Sequence, residues 1–205
     1  MTDQEAQQTP PHVQLIQMGA AQIASRLLYA AARLGLADHL AAGPRSASEL
    51  ADPMRMHAHS LHRLMRALAS IGVLTERPLQ RFALTSLGEA LKTDAPGSAK
   101  STLIFMGDPQ LRLGWDHLIY SVETAKPGFD KAHGTTFFEY LARNPELASL
   151  FSETMIGLHN AEPAAVAAAY DFSGFKTIVD VGGATGNMLA TILGRHRRNA
   201  PGSVR

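Results

Sequence analysis

The sequence predicts a mainly α-helical chain in which a small helix-rich domain and a helical connector lead into the first strand–loop–helix unit of an α/β ligand-binding domain. Three observations predict it. Apolar residues recur at helical spacing through most of the stretch from His12 to Tyr170. Two short β-type runs, Val73–Thr75 and Phe82–Leu84, interrupt that spacing on either side of Pro78. Beyond Asp171-Phe-Ser-Gly the period changes again, to the apolar run and glycine-rich loop Lys176-Thr-Ile-Val-Asp-Val-Gly-Gly-Ala-Thr-Gly.

The first helix follows the breaker Pro10-Pro11 and runs from His12 to Leu34, with Ile16, Ile23, Leu27 and Leu34 on one face. Val13, Met18, Leu28 and several alanines widen that face beyond what one neighbouring domain covers, which predicts burial by a second subunit. The core helix of a monomer is the other reading of the same stripe. From Leu36 to Glu89 the order is helix, helix, helix, hairpin, helix. Ser46 and Glu49 form a capping box that opens a short helix, which Pro53 is expected to close. The next helix places Leu61, Leu64, Met65 and Leu68 together and stops at Gly72, and Ser86 with Glu89 predicts a further capped start. This order is that of a winged helix, assigned to residues 1–94.

Residues 95–170 read as a helical connector, broken at Asp94-Ala-Pro-Gly, at Gly107-Asp-Pro and around Lys126-Pro-Gly. Leu111, Trp115, Leu118, Ile119 and Val122 share one face, and Asn144-Pro-Glu starts a helix whose buried side is Leu147, Leu150, Phe151 and Leu158. The alanine-rich stretch from Ala161 to Ala169 is a strong helix former.

Composition sets the outer limits. Hydrophobic residues make up 45% of the 205 and charged residues 18%, the balance of a globular chain rather than a disordered one. Nineteen basic against eighteen acidic side chains leave a formal net charge of +1, so no whole-chain field draws nucleic acid or an anionic membrane, and neither is expected as a partner. The lack of cysteine excludes disulfides, thiolate nucleophiles and cysteine-bound metal, and suits a reducing cytoplasm. The opening MTDQEAQQTPP has no secretory pattern, and no apolar run approaches the roughly 20 residues of a spanning helix. A cytoplasmic location is the expectation.

The chemistry lies in residues 171–205. A strand, a glycine loop and a helix resuming at Met188, Leu189, Ile192 and Leu193 make the first unit of a doubly wound fold, in which ligands sit at the carboxyl ends of the strands. Glycine lets the backbone turn tightly and lets a ligand come close, and the helix beginning near Asn187 offers unpaired amides. A structural turn of another α/β protein is the plain alternative. Asp180 stands directly ahead of the glycines, and Asp-x-Gly-x-Ala-x-Gly departs from the Gly-x-Gly-x-x-Gly fingerprint of pyrophosphate sites. A carboxylate there repels a pyrophosphate and suits a ligand bearing cationic and hydroxyl groups, such as S-adenosylmethionine.

Val179-Asp-Val-Gly-Gly-Ala-Thr-Gly186 resembles the first motif of S-adenosylmethionine-dependent methyltransferases. Tyr170-Asp-Phe-Ser-Gly174 resembles the approach to that motif in small-molecule O-methyltransferases of caffeate, hydroxyindole and polyketide type. Leu34-Gly-Leu-Ala-Asp-His-Leu40, the segment from Ser60 to Leu74 and Phe82-Ala-Leu-Thr-Ser-Leu-Gly88 are similar to that family's amino-terminal winged-helix dimerisation domain. The resemblance implies a homodimer, a small acceptor of aromatic class methylated on a hydroxyl, and an incomplete Rossmann-like methyltransferase domain begun by residues 171–205. It implies S-adenosylmethionine as cofactor, held by Asp180, Gly182, Gly183, Ala184 and Gly186. It places Phe151 and Met155 against the acceptor, although both residue types are also ordinary core fillers. Ala184 stands where the family most often has glycine; its methyl weakens binding if the position needs a positive φ or close cofactor contact and is harmless otherwise, and the harmless reading is the one taken.

A parallel strand needs neighbours on both edges and helices over both faces, yet only a basic, proline-containing tail follows Leu193. The family's acidic second-strand end and its histidine base find no counterpart, so no catalytic residue is assigned, and a truncated or interrupted frame is the expectation. The crowded Arg195, His196, Arg197 and Arg198 read as an out-of-frame tail. A winged-helix DNA-binding regulator is the rival reading, resting on Arg63, Arg66 and nearby histidines; a dimerisation-only module is the third. His57, His59 and His62 lack a carboxylate at ligand spacing and read as solvated or capping residues, with no metal expected.

Overall fold

The computed structural model describes residues 9–159 and 161–196, and the expected out-of-frame tail past His196 lies outside the described residues. The chain divides into two compact units, Met1–Arg112 and Leu113–Arg205. It is mainly helical with one small sheet.

The first unit starts with α1 (Pro11–Arg33), where Pro11 occupies the first turn and its missing N–H leaves no extra gap in the ladder. Gly35, at φ 60°, turns the chain into α2 (Leu36–Leu40). A two-residue strand, β1 (Arg45–Ser46), precedes α3 (Ala47–Met54). The expected capping box is present: Ser46 N–H donates to Glu49 Oε2 at 2.6 Å and Glu49 N–H donates to Ser46 Oγ at 3.2 Å. Pro53 does not close this helix. A proline in the last turn forfeits only its own N–H bond, so Met54 completes the turn and the break falls at left-handed Arg55, φ 54°.

α4 (Ala58–Ser70) is capped by His57, whose Nδ1 accepts from Ser60 N–H at 3.3 Å, which makes it the capping one of the two roles, solvated or capping, open to it in the sequence. β2 (Leu74–Arg77), a 3-10 turn at Pro78–Gln80 and β3 (Arg81–Leu84) make the hairpin. The sheet runs β1-β3-β2, all antiparallel, with Leu74 opposite Leu84 and Arg45 opposite Phe82. Strand β1 escaped the sequence because two residues carry no period. α5 (Ser86–Glu89) is capped by Thr85 rather than Ser86. Thr85 has the extended backbone a cap requires, accepts from Gly88 N–H at 3.2 Å, and donates its hydroxyl toward Gly72 O at 2.7 Å.

Leu36, Leu40, Leu50, Leu61, Met65, Leu68, Val73, Leu74 and Phe82 close around one another as the core of this unit. α6 (Lys100–Gly107) packs along α1. There Gly107 lies against the Tyr29 side chain, and Arg26 Nη1 donates to Gly107 O at 2.8 Å. Asp38 ties α2 to the same region, accepting from Thr93 N–H at 2.7 Å, Thr93 Oγ1 at 2.8 Å and Lys100 Nζ at 2.7 Å. Leu15, Ile16, Met18 and Ile23 of α1 remain exposed.

Among the described residues seven further helices follow: α7 (Pro109–Asp116), α8 (Leu118–Thr124), α9 (Gly128–His133), α10 (Phe137–Arg143), α11 (Pro145–Leu158), α12 (Glu162–Ala169) and α13 (Asn187–His196). The breaks expected at Gly107-Asp-Pro and Lys126-Pro-Gly are present. The apolar face expected across Trp115, Ile119 and Val122 is not buried, these residues being 74, 74 and 80% exposed. A break at His117 ends the common helical phase between α7 and α8. On α11 the expected Leu147, Leu150 and Phe151 are half-buried and Leu158 is exposed, while the most deeply buried position is Thr154. The apolar run ahead of the glycine loop pairs with no strand among the described residues, and Val179 and Val181 are exposed. Strand-forming residues without a ladder partner gain neither the hydrogen bonds nor the cover that make a strand. No helix among the described residues is long and apolar enough to cross a membrane.

Candidate functional site

The loop from Asp180 to Gly186 is built on left-handed backbone. Gly182 has φ 74° and Gly186 φ 71°, conformations open to glycine at little steric cost. Ala184 has φ 45°. Its methyl is therefore not harmless, because a Cβ in the left-handed region crowds the following carbonyl at a cost of roughly 1–2 kcal/mol. Gly186 N–H donates to Gly183 O at 2.6 Å, and Ala190 N–H to Gly186 O at 2.8 Å, so the turn feeds directly into α13.

Asp180 folds back under this loop. Its Oδ2 is buried and has no hydrogen-bond partner among the described residues. A Cβ built on Gly183 would overlap that carboxylate, so the glycine is what leaves room for it. A buried anionic oxygen left unpaired is costly, and a partner supplied by a ligand relieves the cost. The five loop residues singled out in the sequence thus lie together in one turn around the Asp180 carboxylate.

Phe151 and Met155 lie half-buried on α11, which packs on α10. The Phe151 ring is 5.4 Å from Phe137 and 6.3 Å from Phe138, both edge-on. Phe129 extends the same cluster, 5.4 Å from both Phe137 and Tyr140. The loop and α11 have different neighbours, since α13 packs on α12. Thr154, one residue before Met155, was missed by sequence reasoning. It is 1% exposed and its Oγ1 has no hydrogen-bond partner among the described residues. A lone threonine in an apolar helix gives no periodic signal that would have found it.

Partial burial pushes the Asp38 carboxyl up, but the bonds from Lys100 and Thr93 with the Lys100 charge outweigh it and hold Asp38 below the usual carboxylate value. Glu49 is lowered by its bonds from Ser46 in the α3 capping box, and Glu139 by those from Thr135 and Thr136, where Thr136 and Glu139 form a capping box at the start of α10. No group of three or more His, Asp or Glu side chains among the described residues is placed to hold a metal ion.

An acidic residue is thus tucked under a glycine turn, in a chain whose first helix leaves Leu15, Ile16, Met18 and Ile23 exposed. Residues 17–94 match the O-methyltransferase dimerisation domain and residues 115–197 match the O-methyltransferase domain. The chain belongs to the small-molecule O-methyltransferase family. It is 38% identical over 179 residues to the phenazine O-methyltransferase PhzM of Lysobacter antibioticus, covering 87% of this chain and 52% of that protein. It is also 38% identical over 176 residues to the O-demethylpuromycin-O-methyltransferase of Streptomyces alboniger, covering 85% of this chain and 46% of that one. The crystal structure of LaPhzM superposes with a TM-score of 0.86 at 37% identity, over 92% of this chain and 57% of that one. NcsB1 from neocarzinostatin biosynthesis, solved with S-adenosyl-L-homocysteine and 1,4-dihydroxy-2-naphthoic acid, gives 0.72 at 34% identity, over 85% and 53%. The chain spans about half the length of the curated relatives it matches.

Proposed function

We propose that this chain binds S-adenosylmethionine through Asp180, Gly182, Gly183, Ala184 and Gly186, as part of an O-methyltransferase acting on a hydroxyl of a small aromatic molecule. The observation that carries this reading is the buried, unpartnered Asp180 Oδ2 beneath a glycine turn with no room for a side chain at position 183. Bound there, S-adenosylmethionine supplies a methyl group on a cationic sulfur. Asp180 accepts hydrogen bonds from the ligand's polar groups, and its negative charge favours a cationic ligand over a pyrophosphate. The left-handed positions 182, 184 and 186 hold the turn open for close approach.

Phe151 and Met155, within the aromatic cluster of α10 and α11, are proposed to contact the acceptor ring. Their task is to hold the acceptor in place, since displacement at a methyl carbon depends on near-attack geometry. The reading assigns no general base to a described residue. Residues 1–94 are proposed to form a winged-helix dimerisation domain, residues 95–170 a connector and residues 171–205 the start of a Rossmann-like domain. Exposed Leu15, Ile16, Met18 and Ile23 support a homodimer, because so many large apolar side chains along one helix call for cover.

Calorimetric titration of the chain with S-adenosylmethionine tests the proposal. Saturable binding that Asp180→Asn weakens supports it. Absence of binding at millimolar ligand, with the chain folded by circular dichroism, would remove it.

A further inference from the structure

A second polar cleft lies in the first unit, between α4, the start of α3 and the tip of the hairpin. It encloses about 850 Å³ and is lined by Ser46, Ser48, His59, His62, Arg63 and Arg66 together with Ala47, Ala58, Leu79 and Gln80. No carboxylate lines it. Arg63 and Arg66 are three apart on α4, so both guanidinium groups reach the same side. Both are exposed, and neither has an ion-pair partner among the described residues. Arg81 makes the contrast: it is committed to Glu49 at 3.2 Å and to Pro44 O at 2.7 Å. His62 is held edge-on to the buried Phe82 ring at 5.6 Å, which fixes one wall of the cleft. At the lip, Leu79 is 87% exposed on a backbone of φ 62° and is followed by Gln80 at φ 54°.

We propose that this cleft binds a small phosphate-bearing molecule, its phosphate held by Arg63 and Arg66 and its organic part resting on Leu79, Ala47 and Ala58. Two forked guanidinium groups with no ion-pair partner among the described residues are donors that phosphate oxygens pair with in bidentate fashion. The volume lies within the 300–1,000 Å³, roughly, of small-molecule sites. A nucleic acid is the poorer fit, because its affinity comes from neutralising about six to ten phosphates and the cleft holds two arginines. This site lies in the other unit from the Asp180 loop.

Calorimetric titration of the full chain with inorganic pyrophosphate at low salt is the test. The expected result is submillimolar binding that the Arg63→Ala/Arg66→Ala double variant weakens by about tenfold or more, with Arg63→Lys/Arg66→Lys falling between because lysine keeps the charge and loses the fork. Both arginines are exposed, so the melting temperature of either variant stays near that of the parent. Equal affinity in parent and double-alanine chains, or no binding by folded parent at about 10 mM, a concentration that still detects affinities near 3 kcal/mol, overturns the proposal. Tighter, steeply salt-dependent binding of duplex DNA would overturn it in favour of a nucleic-acid surface.

Discussion

Replacing Gly183 by alanine separates the folding of the loop from its binding chemistry. The three atoms nearest the new methyl all belong to the Asp180 carboxylate, so the clash is relieved by swinging one short side chain away. Stability is then expected to change by about 0.5 kcal/mol or less, as for a substitution that the surroundings absorb. The ligand has no such freedom. Displacing Asp180 removes a charge-assisted hydrogen bond of roughly 1.5–3 kcal/mol, which corresponds to an affinity loss of about tenfold to a hundredfold. Titration calorimetry with S-adenosylmethionine on parent and Gly183→Ala chains reads the affinity, and urea unfolding of the same samples reads the stability. Unchanged affinity would refute the role given to Asp180; lost affinity with a collapsed unfolding midpoint would show that the glycine serves the fold instead.

Gly107→Ala is expected to lower the urea midpoint, because its Cβ would meet the Tyr29 ring and Cβ in the seam between α1 and α6; overpacking costs about 1–3 kcal/mol against at most about 1 kcal/mol of helix propensity gained. A raised midpoint would contradict that packing. Ala184→Gly relieves roughly 1–2 kcal/mol of left-handed strain against about 0.4–1 kcal/mol of added unfolded-chain entropy, so thermal unfolding is expected to show unchanged or slightly raised stability, and a clear loss would argue against φ 45°. Asp38 has a folded-state pKa below its unfolded one, so its contribution is present above the unfolded value and is lost as pH falls through the folded one. The side chain is 38% exposed and screened, which limits the effect to about 1 kcal/mol or less; Asp38→Asn is expected to flatten the fall in urea midpoint between about pH 5 and 2, and identical profiles would count against the linkage. Ile23→Glu places a charge on the exposed apolar face of α1 and is expected to shift a dimer to monomer by light scattering, while an unchanged mass would place the interface elsewhere.

Much of the first unit was legible because its signals are local. The Ser46–Glu49 capping box, the amphipathic face of Leu61, Met65 and Leu68, and the two hairpin strands each lie within a few residues of chain, where periodicity and capping chemistry act. The glycine loop was legible for the same reason, since its spacing encodes turns. What stayed hidden depends on partners distant in sequence. β1 exists only because Arg45 and Ser46 meet β3, and Thr85 rather than Ser86 caps α5 because Gly72 and Val73 lie within reach of its hydroxyl.

By itself the sequence determined the helical class, the acidic residue ahead of the glycines and the resemblance that led to the family, all properties of residue order. Only the tertiary structure decided that Asp180 Oδ2 is buried with no partner among the described residues, that Ala184 is left-handed, that Trp115 and Val122 stay exposed, and that Arg63 and Arg66 flank a cleft whose described lining has no carboxylate. Burial and charge pairing are sums over neighbours that the fold brings together, and neighbours in space are not written in the spacing of residues along a chain.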